Sequence, residues 1–235
     1  MSQSAADFEA LVSELRADEN MVGLILAGSR GRGALVRDDS DWDLYVVLRD
    51  GALLNEYAER YTTRHGDPIE VILRSPEGLA NEPGWNRYTF CHVEPLLDRS
   101  GGWLAETLRA ITTADSATAG ELLDGYVNSY YRSMKGTDEL GRLFDAAESV
   151  SRFLDFVFTV HGRVRPFNKW LRWELEHHPL PWSDLPLLER IVQTGDFADQ
   201  ATLFRTAEEI ACGHELGGII DDWEPDVARL RAGAP

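Results

Sequence analysis

The 235 residues are 43% apolar and include seven tryptophans, enough for a substantial core in one large domain or two modest ones. Forty acidic against 23 basic residues give a net charge of −17, which opposes binding to polyanions such as nucleic acid and is compatible with a cationic ligand. Two cysteines, Cys91 and Cys212, are too few and too far apart for a disulfide framework or a zinc site and read as small buried hydrophobes. The opening Met-Ser-Gln-Ser-Ala-Ala-Asp has no basic stretch leading into an apolar core, and no apolar run reaches membrane-spanning length. The expectation is a cytoplasmic chain with no membrane partner.

Residues 5–18 carry Phe8, Leu11, Val12 and Leu15 at the spacing of an amphipathic helix. A buried strand, Val22 to Ala27, follows and leads through a Gly28-Ser29 turn and an Arg/Gly loop into a second apolar strand with Asp41 and Asp43 at its start. Residues 52–64 read as a helix with Leu53, Leu54, Tyr57 and Tyr61 inward. Gly66-Asp67-Pro68 then turns the chain into a strand over 69–73. Residues 75–86, with Pro76, Gly78, Pro83 and Gly84, are loop or at most a short helix. Tyr88 to Leu97 reads as a further strand, in which His92 is a core or edge histidine, and a helix is expected from Trp103 to Thr112.

The small polar stretch 112–120 marks a boundary, and everything after it is helical in pattern. Helices are expected over 119–135 and over 137–161, the latter with Leu140, Leu143, Phe144, Ala147, Val150, Phe153, Leu154, Val157 and Phe158 in its apolar stripe. Another is expected from Arg165-Pro166 to His177, with Pro166 in its first turn. Three more are expected near 186–194, 197–216 and 224–231. The fold class is therefore α+β: a domain over 1–115 with a mixed sheet flanked by helices, and a helical bundle over 116–235.

Chemistry concentrates in residues 22–48. Side chains two apart on a strand share a face, so Asp41 and Asp43 project together while Trp42 and Leu44 turn away. Adjacent carboxylates repel unless a cation sits between them. Hard oxygen ligands of this kind suit Mg²⁺, which binds through one or two carboxylates plus substrate phosphates. Backbone N–H groups at the Gly28-Ser29 turn can cradle a phosphate. Alone, a Gly-Ser turn is ordinarily only a turn and Asp-x-Asp only a solvated strand end. A calcium loop starting at Asp39 fails, because Leu44 and Asp50 stand where Gly and Glu are required. A P-loop fails too, for want of Gly-Lys-Ser/Thr.

A strand ending in Gly28-Ser29, a gap of eleven residues, and Asp41-Trp42-Asp43 in a second apolar strand resembles the nucleotidyltransferase superfamily typified by DNA polymerase β. The small-molecule branch, which includes the aminoglycoside and lincosamide enzymes, is the nearest in pattern. The resemblance implies a nucleotidyltransferase domain over 1–115, with Asp41, Asp43 and Glu70 as metal ligands and Glu70, in Asp67-Pro68-Ile69-Glu70-Val71-Ile72-Leu73, as general base. It also implies Mg²⁺ and a nucleoside triphosphate, ATP, as cofactors, with Gly28, Ser29 and Arg30 on the phosphates. Arg32 and Arg37, in or beside the same loop, are weaker phosphate candidates. Tyr126 to Lys135 and Arg165 to Leu171 look like bundle helices of the same enzymes, and the only two lysines, Lys135 and Lys169, are the candidates to balance the leaving pyrophosphate. The acceptor is a small molecule expected in a cleft between the domains, where acids such as Glu148, Glu174 and Glu176 could line it. The chain is expected to be a monomer or homodimer. A non-catalytic, antitoxin-like member and an enzyme that adenylylates a protein are the competing readings. The long bundle and complete acidic triad favour the enzyme.

Overall fold

The computed structural model describes residues 3–61, 63 and 66–233, and the chain divides into two compact units, Met1–Thr113 and Ala114–Pro235. The first is α+β and the second is helical.

In the first unit the strands are β1 (Met21–Leu26), β2 (Trp42–Leu48), β3 (Ile69–Arg74) and β4 (Pro95–Asp98), in one sheet of order β3-β2-β1-β4. β1 runs antiparallel to β2 and β4, whereas β2 and β3 are parallel. The helices are α1 (Gln3–Ala17), α2 (Gly28–Arg32), α3 (Leu54–Arg60), α4 (Pro76–Ala80) and α5 (Trp103–Ile111). A parallel pair needs a crossover connection, and α3 lies in it.

Alternation along β2 sorts its residues between two apolar layers. Trp42, Leu44, Val46 and Leu48 pack with Phe8, Val12 and Leu15 of α1 and with Tyr57 of α3. Phe8 stacks on Trp42 at 4.0 Å between ring centroids. Tyr45 and Val47 face the opposite layer, which contains Leu79, Phe90, Leu104 and Leu108. Leu53, Leu54, Tyr57 and Tyr61 all join the first layer, as their spacing predicts. Thr62 and Arg64 of the predicted 52–64 helix lie outside the described residues, as do Met1 and Ser2 of the opening segment.

In this unit two elements differ from the sequence expectation. Gly28-Ser29 opens the short helix α2 instead of a turn and loop. The predicted strand 88–97 reduces to β4, because 84–90 is a 3-10 segment and His92 has φ +59°. Side-chain bonds to the backbone occupy groups that a ladder would need: the Arg32 guanidinium donates to the carbonyls of Tyr88 and Cys91.

The second unit contains α6 (Ala119–Lys135), α7 (Glu139–Val160), α8 (Leu171–His177), α9 (Leu185–Thr194), α10 (Phe197–Gly213), α11 (Gly217–Asp221) and α12 (Val227–Ala232). The side chains of Asp138 and Asp196 cap α7 and α10, accepting from Gly141 and Asp199 N–H. Aromatic rings fill the core: Tyr126, Tyr130, Phe153, Phe156, Phe158 and Phe204 are fully buried. The Tyr130 hydroxyl donates to the Leu230 carbonyl at 2.9 Å, tying α6 to α12. Pro166 is not in a helix; the chain is irregular until the 3-10 turn Asn168–Trp170, and α8 begins at Leu171. Arg165 is held there by Ser151 and Asp155. Leu140 and Phe144, expected inward on α7, stand out in solvent.

His161 ends α7 and its ring lies 5.2 Å from that of His214, which ends α10. Its Nε2 is buried and has no hydrogen-bond partner among the described residues. Burial, with the charges of His214 and Arg163 adding, holds its pKa below the usual histidine value. The unfolded chain therefore binds the proton more readily, so this contribution to stability is complete above about pH 6.5 and is lost as pH falls through the lower folded-state pKa. Urea midpoints measured between pH 5 and 8 are expected to fall toward the acid side, and His161→Phe is expected to flatten that slope.

Candidate functional site

The candidate site is built on the sheet face that also carries Tyr45 and Val47. Asp43 alternates with Trp42 and Leu44 and so lies on that face. On β3, Val71 and Leu73 pack into the layer of α1 and Ile72 into the other, which puts Glu70 on Asp43's side. Asp43 and Glu70 are register partners on the paired strands, so their backbones are about 5 Å apart. Both side chains are half-buried. Two carboxylates this close on one face offer oxygen ligands to a divalent cation.

β1 delivers the third part. Ala27 N–H donates to the Asp43 carbonyl at 2.8 Å, which brings the end of β1 against the start of β2. The next residue, Gly28, has φ +63° and lies directly against the Asp43 side chain. A Cβ placed on Gly28 falls 2.1 Å from Asp43 Oδ2. Gly31 is equally constrained, since a Cβ there meets the Leu26 carbonyl at 2.0 Å. Glycine is required at Gly28 twice over, by backbone conformation and by the carboxylate. Gly28→Ala is expected to cost about 1–2 kcal/mol through the left-handed backbone alone, and to displace Asp43. Denaturant titration reads the first effect and Mg²⁺ affinity by calorimetry the second.

Asp41 departs from the expected arrangement. β2 begins at Trp42, whose N–H donates to the Pro68 carbonyl at 3.0 Å, so Asp41 precedes the strand and is exposed. It lines a cavity of about 260 Å³ with Asp38, Asp39 and Asp67, which Asp43 and Glu70 do not line. Among the described residues no three His, Cys, Asp or Glu side chains form a metal-ligand cluster. The pair offered to a cation is Asp43 with Glu70, and two carboxylates completed by phosphate oxygens and water fit Mg²⁺.

Arg30 donates from Nε and an Nη to the Ser40 carbonyl, at 2.9 and 2.7 Å, and lies 4.2 Å from the centre of the Trp42 ring. It thereby pins the loop ahead of β2. Arg32 links the Gly28 carbonyl to Tyr88 and Cys91. Arg37 is exposed and paired with Asp39. Ser29 is half-buried within α2. In the helical unit, Lys135 is exposed and donates to the Tyr131 hydroxyl at 2.8 Å, and Lys169 is exposed in the 168–170 turn. Glu148 is paired with Arg132 and Arg152, and Glu174 is buried against Arg163, while Glu176 is exposed.

A polar network on the same sheet face lies outside the sequence-level set. Arg74, four residues after Glu70 on β3, makes a two-point ion pair with Glu82. Asn86 donates to Glu82 and, at 3.1 Å, to the Tyr45 hydroxyl. Burial, reinforced by the negative charge of Glu82 and Asp43, pushes the Tyr45 pKa upward and keeps it neutral. Arg74 was legible from its alternation with Glu70 and Ile72; Glu82 and Asn86, beyond a turn, carried no such signal.

No family model matches the chain, and no curated protein matches it.

Proposed function

We propose that the chain is a Mg²⁺-dependent nucleotidyltransferase that moves a nucleoside monophosphate from ATP to a hydroxyl of a small cationic acceptor and releases pyrophosphate. One observation carries this reading: Asp43 and Glu70 stand side by side on paired strands while the α-carbon of Gly28 closes on the Asp43 carboxylate. A bare backbone beside paired acids suits a phosphate chain bound with its cation.

Bound Mg²⁺ supplies charge neutralisation on the triphosphate. Asp43 provides a carboxylate whose position is fixed by β2 on one side and Gly28 on the other. Gly28 and Ser29 present the backbone that accommodates the β- and γ-phosphates. Glu70 accepts the acceptor's hydroxyl proton as its oxygen attacks the α-phosphorus and the bond to the β-phosphate oxygen breaks. Such chemistry asks the protein chiefly for placement and charge. The acidic balance of the chain, −17, favours a cationic acceptor over a polyanionic one.

Pyrophosphate release from Mg-ATP, measured against a panel of aminoglycosides and lincosamides with and without a chelator, tests this. The expected result is release that needs both acceptor and Mg²⁺. Tight Mg-ATP binding without turnover on any small molecule moves the acceptor to a protein. Absence of nucleotide binding by calorimetry overturns the reading.

A further inference from the structure

In the helical unit, three of the large apolar side chains that reach solvent fall on one strip: Leu140 at 60%, Phe144 at 67% and Val192 at 48% exposure. Leu140, Phe144, Ala147 and Ser151 succeed one another along α7 at intervals of four, three and four, which is one helix face. α9 runs antiparallel beside it. Leu143 and Ala146 lie against Gly195, just past the end of α9, while Leu154 meets a cavity also lined by Leu185, at its beginning. That cavity, about 500 Å³, sits between α7, α9 and the 165–172 segment and has an apolar floor of Val150, Leu154, Leu171 and Leu188. The strip from Leu140 to Leu154 is about 21 Å long. It carries a projection at one end, Leu140 and Phe144, and a hollow at the other.

The charges around the strip are balanced in a chain that is otherwise strongly acidic. Arg172 pairs with Glu189 on one side, and Arg132 and Arg152 pair with Asp145 and Glu148 on the other. An external partner selected by the excess negative charge of the chain would be basic and would meet that charge elsewhere. A second acidic copy, by contrast, is repelled least at this face. A knob at one end of a strip and a hole at the other, with both signs of charge at the rim, can meet their counterparts on a second copy about a twofold axis between them.

We infer that α7 and α9 form an isologous interface between two copies of this chain. Phe144 of each copy enters the Val150–Leu154–Leu188 hollow of the other, Val192 closes the seam, and the four helices make one packed layer.

Sedimentation equilibrium on the full chain over a concentration series, from roughly 1 to 100 µM, tests this. The expected result is a dimer mass at the upper end that reverts to monomer for Phe144→Glu and, separately, for Val192→Glu. Both side chains are exposed in the single chain, so both variants are expected to keep the helical circular dichroism of the parent and its urea midpoint at low concentration. A parent that stays monomeric throughout overturns the inference. So does a dimer that persists when Phe144→Glu and Val192→Glu are combined, because it uses another face.

Discussion

Asp43→Asn is expected to lower Mg²⁺-dependent pyrophosphate release by about a hundred- to a thousandfold, the scale lost when a single well-placed charge-stabilising group is removed from a reaction centre. The substitution keeps the volume, so the amide still fits beneath the α-carbon of Gly28, and the β2 backbone bond to Ala27 is untouched. Stability should therefore remain close to that of the parent, which separates a chemical loss from a folding loss. Asp41→Asn provides the contrast. Asp41 precedes β2, is exposed, and lines a cavity that neither Asp43 nor Glu70 lines, so its loss should cost less than that of Asp43. Kinetics of the two variants at saturating Mg²⁺ decide the matter. Equal losses would place Asp41 on the same cation as Asp43, and more than a tenth of parental activity in Asp43→Asn would remove Asp43 from the reaction.

Glu82→Ala is the substitution expected to cost most in stability. The Glu82 side chain is 1% exposed and receives two bonds from Arg74, at 2.9 and 3.1 Å, as well as one from Asn86. Removing it strands the Arg74 guanidinium against the Tyr45 ring and leaves Asn86 short of an acceptor. Breaking a buried pair from one side costs about 3–5 kcal/mol, and the 29% exposure of Arg74 places this case near the lower figure. The double variant Arg74→Met/Glu82→Leu should recover much of the loss, because an apolar pair of similar volume leaves no charge behind. Urea titration of the single and double variants reads the difference. A double variant no more stable than the single would show that the network is held by something other than the ion pair.

How much of this was visible in the sequence depends on the range of the interaction. The alternation of Asp43 with Trp42 and Leu44 is local, and it correctly assigned their opposite faces. The placement of Glu70 inside a β-branched run was local as well. Its pairing with Asp43 was not, since the parallel register of β2 and β3 is set by the crossover and by the Trp42 bond to Pro68. That same bond fixes where β2 starts and leaves Asp41 outside it. Tyr88–Leu97 looked like a strand because its apolar content is high, but the long-range guanidinium bonds of Arg32 hold 88–91 in another conformation. Helical periodicity identified the Leu140–Phe144 stripe yet said nothing about whether another surface covers it. The closeness of His161 and His214 depends on two helix ends meeting, which no stretch of sequence encodes.

The bond from Tyr130 to Leu230 has a consequence for the order in which the molecule is made. All strands of the sheet, and the Gly28–Asp43–Glu70 constellation on it, are contained in Met1–Thr113, so every strand of that sheet has been made while the rest of the chain is still being synthesised. The helical unit has no such early completion. Val227 and Leu230 of α12 are fully buried in its core, and the Tyr130 hydroxyl has its acceptor only once residue 230 has emerged from the ribosome. Until then the aromatic interior of α6, α7 and α10 lacks its last wall, which leaves apolar surface of this half of the nascent chain open to solvent.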